Sequence, residues 1–205
     1  MTVMTWSRGT WARAAVVAVS SLLLGAFTLI AQGFLPDAVN SFANSASGWT
    51  LVTVLLLTGV RAGPAAAAAL GAASFVLLTV GYSAAARMRG LDYDPTTFAV
   101  VGLLVGPFVG VATSWLRALT SWQPALGTAV LAGIGVGEAG YGLTAVAATT
   151  SPVYWWLLGA VAFALLGTML LRRLHGTLWK VVAVVGTGVT AAAFLEAYRW
   201  LGAGS

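Results

Sequence analysis

Cysteine is absent from this chain. Disulfides, thiolate metal sites and cysteine nucleophiles are therefore excluded. A single histidine, His175, rules out a metal or haem site built from several imidazoles. Charge is scarce as well. Only 7% of the 205 residues are Asp, Glu, Lys or Arg, against roughly 25% in soluble domains. So few charges cannot cover a water-exposed surface, so lipid must be the solvent over most of it. Long polar stretches are also missing, and residues 1–205 read as one integral membrane domain. No cofactor is implied.

What is present is apolar. Hydrophobic residues make up 60% of the chain, and the mean hydropathy is +0.93. The net charge of +5 does not indicate nucleic acid, because the ten basic residues stand at the ends of apolar runs, where they set topology. The expected fold is all-α: a polytopic transmembrane helix bundle of about seven spans, near residues 14–34, 45–60, 65–86, 97–116, 124–148, 153–171 and 178–200. The first run follows a basic N-terminus without a clear small-residue cleavage site, so it reads as a retained span. The second is short for a hydrocarbon core of about 30 Å. It must borrow residues from the preceding Asn- and Ser-rich loop or thin the bilayer. Gly102, Gly106 and Gly110 are spaced by four, which puts small residues on one helix face for close packing.

Alternation places Arg8, Arg13, Arg61, Arg117, Arg172, Arg173 and Lys180 on one side, and Arg87, Arg89 and Arg199 on the other. The positive-inside rule then sets the N-terminus inside and the C-terminus outside. A six-span reading with a re-entrant second run is the competitor, and it loses this bias. Aromatic placement agrees with seven spans: Trp6, Trp11, Trp115, Trp122 and Trp179 fall at the inner boundary, and Trp49, Tyr82, Tyr93, Tyr154 and Tyr198 at the outer one. Tyr141 alone among Trp and Tyr lies away from an edge.

The stretch Ala132–Leu143 holds five glycines and one carboxylate, Glu138, far from either end of its apolar run. An ionisable group at that depth is costly and needs a partner or water. Two readings stand open. Glu138 serves as a proton or cation site, or it is a hydrogen-bonded structural residue that glues helices. Tyr141, three residues on, shares its helix face. The glycines either loosen the helix around a site or allow close packing. Glu196, with Arg199 at i+3, reads either as an interfacial helix-end pair or as the mouth of a pocket leading to Glu138. Trp49 and Tyr82 could line a cage for a cationic or ring-bearing ligand, or belong to a plain aromatic belt. The ligand-binding candidates are thus Glu138, Tyr141, Glu196, Trp49 and Tyr82. His175, Asp92 and Asp94 read as solvated loop residues.

With these residues named, the chain resembles an uncharacterised family of small multi-pass membrane proteins of high-GC Gram-positive bacteria. The resemblance rests on Gln32-Gly33 with Leu35-Pro36, Asn44-Ser45 followed by Trp49, Gly81-Tyr82, Gly106-Pro107 with Gly110 and Trp115, and Gly137-Glu138. It implies a bacterial cytoplasmic-membrane protein and carries no activity with it. In size and span number the chain is also similar to the substrate-binding components of energy-coupling vitamin transporters and to small membrane terpene cyclases.

Three functions are therefore weighed. One is binding or transport of a small organic molecule or cation at Glu138 and Tyr141. Another is a membrane-embedded enzyme using acid chemistry on a lipid or isoprenoid. The third is a structural subunit. The expected partners are the lipid bilayer, a small-molecule ligand, and either a second copy or another membrane subunit.

Overall fold

The computed structural model describes residues 8–203; Trp6 lies outside them. All regular structure among these residues is helical. Eight α-helices follow one another: α1 (Arg8–Ala31), α2 (Asp37–Asn40), α3 (Ala46–Val60), α4 (Pro64–Met88), α5 (Thr96–Trp115), α6 (Trp122–Tyr141), α7 (Pro152–Arg172) and α8 (Thr177–Ala203). A 3₁₀ turn, Ser41–Asn44, follows α2, and a π-helical turn, Gly142–Val146, extends α6.

Six of these helices are each long and apolar enough to cross a membrane. The seventh candidate is a broken one, in which residues 37–44 and α3 meet at 66°. With 15 residues, α3 spans about 22 Å at 1.5 Å per residue, short of the hydrocarbon core. The loop supplies the missing length, but it does so across a sharp bend. Helix α3 still runs to the same end as the others, because Arg117 at the close of α5 donates to the Thr58 carbonyl, 2.9 Å away.

Side-chain contacts fix the direction of each helix. Ser21 Oγ and Ser74 Oγ are 2.8 Å apart, and a Cβ on Gly25 would meet the Leu78 carbonyl oxygen, so α1 and α4 run parallel. Helix α3 runs against both, with Thr53 Oγ1 2.9 Å from Ser74 Oγ. These three buried hydroxyls interlock three helices where lipid offers no competing partner. Helices α4 and α5 are antiparallel through the predicted small-residue face. A Cβ on Gly110 would lie 1.9 Å from the Ala67 carbonyl oxygen, and one on Gly71 would lie 2.2 Å from that of Gly106. Helices α6 and α8 are parallel, with a Cβ on Gly133 placed 2.4 Å from Thr190 Cβ. Helix α7 runs against α6.

The bundle consequently has a basic end and an acidic end. The starts of α1, α4, α6 and α8 and the ends of α3, α5 and α7 gather Arg8, Arg13, Arg61, Arg117, Arg172, Arg173 and Lys180 at one end, without an acid among them. Asp37, Asp92, Asp94 and Glu196 lie toward the other end, beside Arg87, Arg89 and Arg199.

Candidate functional site

Glu138 lies on α6 with 2% of its surface exposed. Its position is eight residues before Val146, so about 12 Å below the acidic end of that helix. Both carboxylate oxygens are engaged. The backbone N–H of Ala46 donates to Oε1 at 2.7 Å, and that of Ser47 donates to Oε2 at 2.5 Å. Ala46 and Ser47 are the first two residues of α3. A helix begins with N–H groups that have no partner within it and with a positive dipole end. Inside a membrane no water is at hand to satisfy them. The acid of α6 thus caps the helix of the broken span from outside.

Ser45 completes the cap from within. It is extended, its Oγ accepts from the Gly48 N–H at 2.9 Å, and it stands 2.5 Å from the Tyr154 hydroxyl of α7. A Cβ on Gly48 would lie 2.1 Å from the Phe42 carbonyl oxygen, so glycine lets the helix start fold directly over the 3₁₀ turn. Ser47 adds its side chain: its Oγ is buried beside the same Glu138 carboxyl that its amide meets.

Aromatic rings flank the break on both sides. On one side Trp49 and Tyr82 lie 6.0 Å apart between ring centres, and Tyr82 meets Tyr93 edge-on at 4.9 Å. The Gln32 amide reaches the Tyr82 hydroxyl at 3.5 Å, and the Trp49 indole N–H donates to the Ala43 carbonyl at 3.3 Å. On the other side Tyr154 packs on Trp155 at 4.8 Å and on Phe42 at 6.5 Å.

The structure therefore brings Trp49 and Tyr82 together, at the same broken span that Glu138 caps. It does not join Tyr141 to Glu138 by a hydrogen bond. The Tyr141 ring stands edge-on to Tyr198 of α8 at 5.1 Å, and Tyr198 stacks on Phe194 at 4.4 Å. Glu196 is exposed and pairs with Arg199 at 2.5 Å, away from Glu138. Sequence reasoning missed Ser45, Ser47 and the partner role of Tyr154. An Asn44-Ser45 pair before an apolar run is a helix-start signal and could have marked the cap. Glycines 133, 135, 137 and 142 serve packing: a Cβ on Gly142 would lie 2.0 Å from the Trp155 ring, and one on Gly137 would lie 2.8 Å from the Ala191 carbonyl oxygen. Among the described residues no three His, Cys, Asp or Glu side chains gather as a metal site.

The loop before α5 is occupied locally. Asp94 Oδ1 accepts from the Thr96 N–H at 2.9 Å and the Thr96 hydroxyl at 2.6 Å, and these bonds hold its carboxyl below the usual range. Burial, helped by Tyr82 and Asp94, pushes the neighbouring Tyr93 phenol up to about 12. The unfolded chain ionises this phenol at about 10, so it then binds fewer protons than the folded chain, and stability falls as pH rises from about 10 to 12. An alkaline absorbance titration should show a phenol ionising near pH 12, and Tyr93→Phe should remove that step.

Helices of this length and hydropathy, packed through small residues and buried hydroxyls, define a multi-pass membrane protein. Residues 4–203 match the family of unknown function DUF6518, and the chain belongs to that family. No curated protein and no solved structure matches it.

Proposed function

We propose that this protein binds or transports a small organic molecule or cation in a bacterial cytoplasmic membrane, with the broken span as its working part and Glu138 as the controlling group. The observation that carries this reading is the cap itself. A short helix starts inside the bundle and points its N–H groups at an ionisable side chain. Discontinuous spans with their helix ends at buried charges are where transporters place substrate and coupling-ion sites. A carboxylate with two bonds from N–H groups keeps further acceptor capacity, and the buried Ser47 hydroxyl lies beside it. The aromatic groups around Trp49, Tyr82 and Tyr154 supply apolar walls with polar tips at the acidic end, which the positive-inside rule makes the outer face.

A structural reading is favoured by one specific observation: both oxygens of Glu138 are already committed to α3. Acid chemistry on a lipid or isoprenoid needs a second acid beside Glu138, either Glu196 or Asp92; Glu196 is instead exposed and paired with Arg199, and Asp92 lies in the exposed loop before α5.

Glu138→Gln separates the first two readings. The glutamine keeps an acceptor for one N–H and loses the charge. Wild-type and variant protein, purified in mild detergent, are compared by mass spectrometry for copurifying small molecules. A molecule enriched with the wild type and lost from a folded variant is the expected result. Identical extracts from two folded proteins would sink the binding reading and leave Glu138 as a helix cap.

A further inference from the structure

A second feature lies at the basic end and is independent of Glu138. Helices α7 and α8 both pack on α6 but touch each other little. Between them is a groove of about 440 Å³. Its walls are Leu170 from the last turn of α7 and Val181, Val184 and Val185 from α8, with Thr177 and Lys180 at its polar end. The valines and the lysine side chain are exposed on the outer surface of the bundle. Thr177 to Val185 covers about 12 Å of helix, enough for a substantial part of an acyl chain.

The charge at this groove is uncompensated. Lys180 makes no ion pair; among the described residues the one ion pair joins Arg199 to Glu196, at the other end of the bundle. Arg172 is also exposed in the last turn of α7, whereas Arg173 already points at the Leu116 and Ala118 carbonyls. None of the five acids lies at this end. The first turn of α8 adds its dipole, which favours an anion. An apolar slot between two spans, ending in a free ammonium at the membrane boundary, has two chemical demands: hydrocarbon along its length and a phosphate at its mouth. Basic pockets between spans meet both with anionic lipid.

We infer that this groove is a site for an anionic phospholipid of the inner leaflet, with an acyl chain along Val181, Val184 and Val185 and its phosphate at Lys180. The full-length protein in detergent is titrated with phosphatidylglycerol, phosphatidylcholine and inorganic phosphate, with binding read by native mass spectrometry and thermal shift. Phosphatidylglycerol should bind about fivefold more tightly than phosphatidylcholine, the effect of one basic residue at an anionic headgroup. Inorganic phosphate alone should give no shift. Lys180→Gln should abolish that preference without lowering the melting temperature of the lipid-free protein. Val184→Trp should fill the slot and weaken both lipids alike. Equal binding of the two lipids by the wild type overturns the site, as does a preference that survives Lys180→Gln. So does a dimer that protects Val184 from both lipids, since a second copy would then be the occupant.

Discussion

Glu138→Ala should lower the melting temperature by about 10 °C, whereas Glu196→Ala should leave it nearly unchanged. The contrast tests where an acid matters in this bundle. At Glu138 the carboxylate is the acceptor for two buried backbone N–H groups. Removing it leaves both unsatisfied, at about 1–3 kcal/mol each. For a chain of this size about 1 kcal/mol moves the melting temperature by about 2–4 °C. Glu196 forms an exposed i,i+3 pair with Arg199, a type of contact that contributes about 0–1 kcal/mol. Differential scanning of the two variants in the same detergent decides the matter. Equal melting temperatures would mean that α3 does not depend on its external cap. Amide exchange at Ala46 and Ser47 gives a second readout and should accelerate in Glu138→Ala alone.

Gly110→Leu is expected to prevent assembly of the native bundle, and Gly110→Ala to cost about 3 kcal/mol, at the upper end of the usual overpacking range. A Cβ here would lie 1.9 Å from the Ala67 carbonyl oxygen. Backbone on both sides cannot rotate away as a long side chain could. Neighbouring contacts are of the same kind, since Gly106 would meet Ala72 Cα at 2.7 Å and Gly102 would meet Phe75 Cβ at 2.8 Å. Helices α4 and α5 would have to separate along their whole shared face. The control is Gly167→Ala, where nothing lies within 4 Å of the added atom. That change should be neutral or slightly stabilising, because alanine is the better helix former by about 1 kcal/mol. SDS-induced unfolding of the three variants ranks them directly, and a normally stable Gly110→Ala protein would refute the close α4–α5 approach.

These cases also show what the sequence makes legible. The apolar runs become helices because a segment in lipid must satisfy its backbone internally, whatever its neighbours are. The spacing of Gly102, Gly106 and Gly110 marks a close face for the same local reason. The i,i+3 pairing of Glu196 with Arg199 is likewise a property of one helix. Glu138 could be singled out, since an acid deep in an apolar run is costly wherever it points. Its partners could not be read, because they are backbone N–H groups, which every residue carries. Tyr141 shares the face of Glu138 by spacing, yet its ring turns to Tyr198. Spacing along one helix does not reveal the aromatic partner that another helix offers. The glycines of α6 were ambiguous for that reason, and only the positions of Thr190, Ala162 and Trp155 assign them to packing.

The cap on α3 also imposes an order of assembly. Ala46 and Glu138 are separated by 92 positions in the chain. At about 5–20 residues synthesised per second, the start of α3 emerges several seconds or more before its acceptor exists. During that interval the α3–α4 hairpin has an open polar end, and neither α1 nor α4 carries an acid that could close it. The second span therefore reaches its final depth only after the fifth has entered the membrane, so the first half of the molecule is completed by the second.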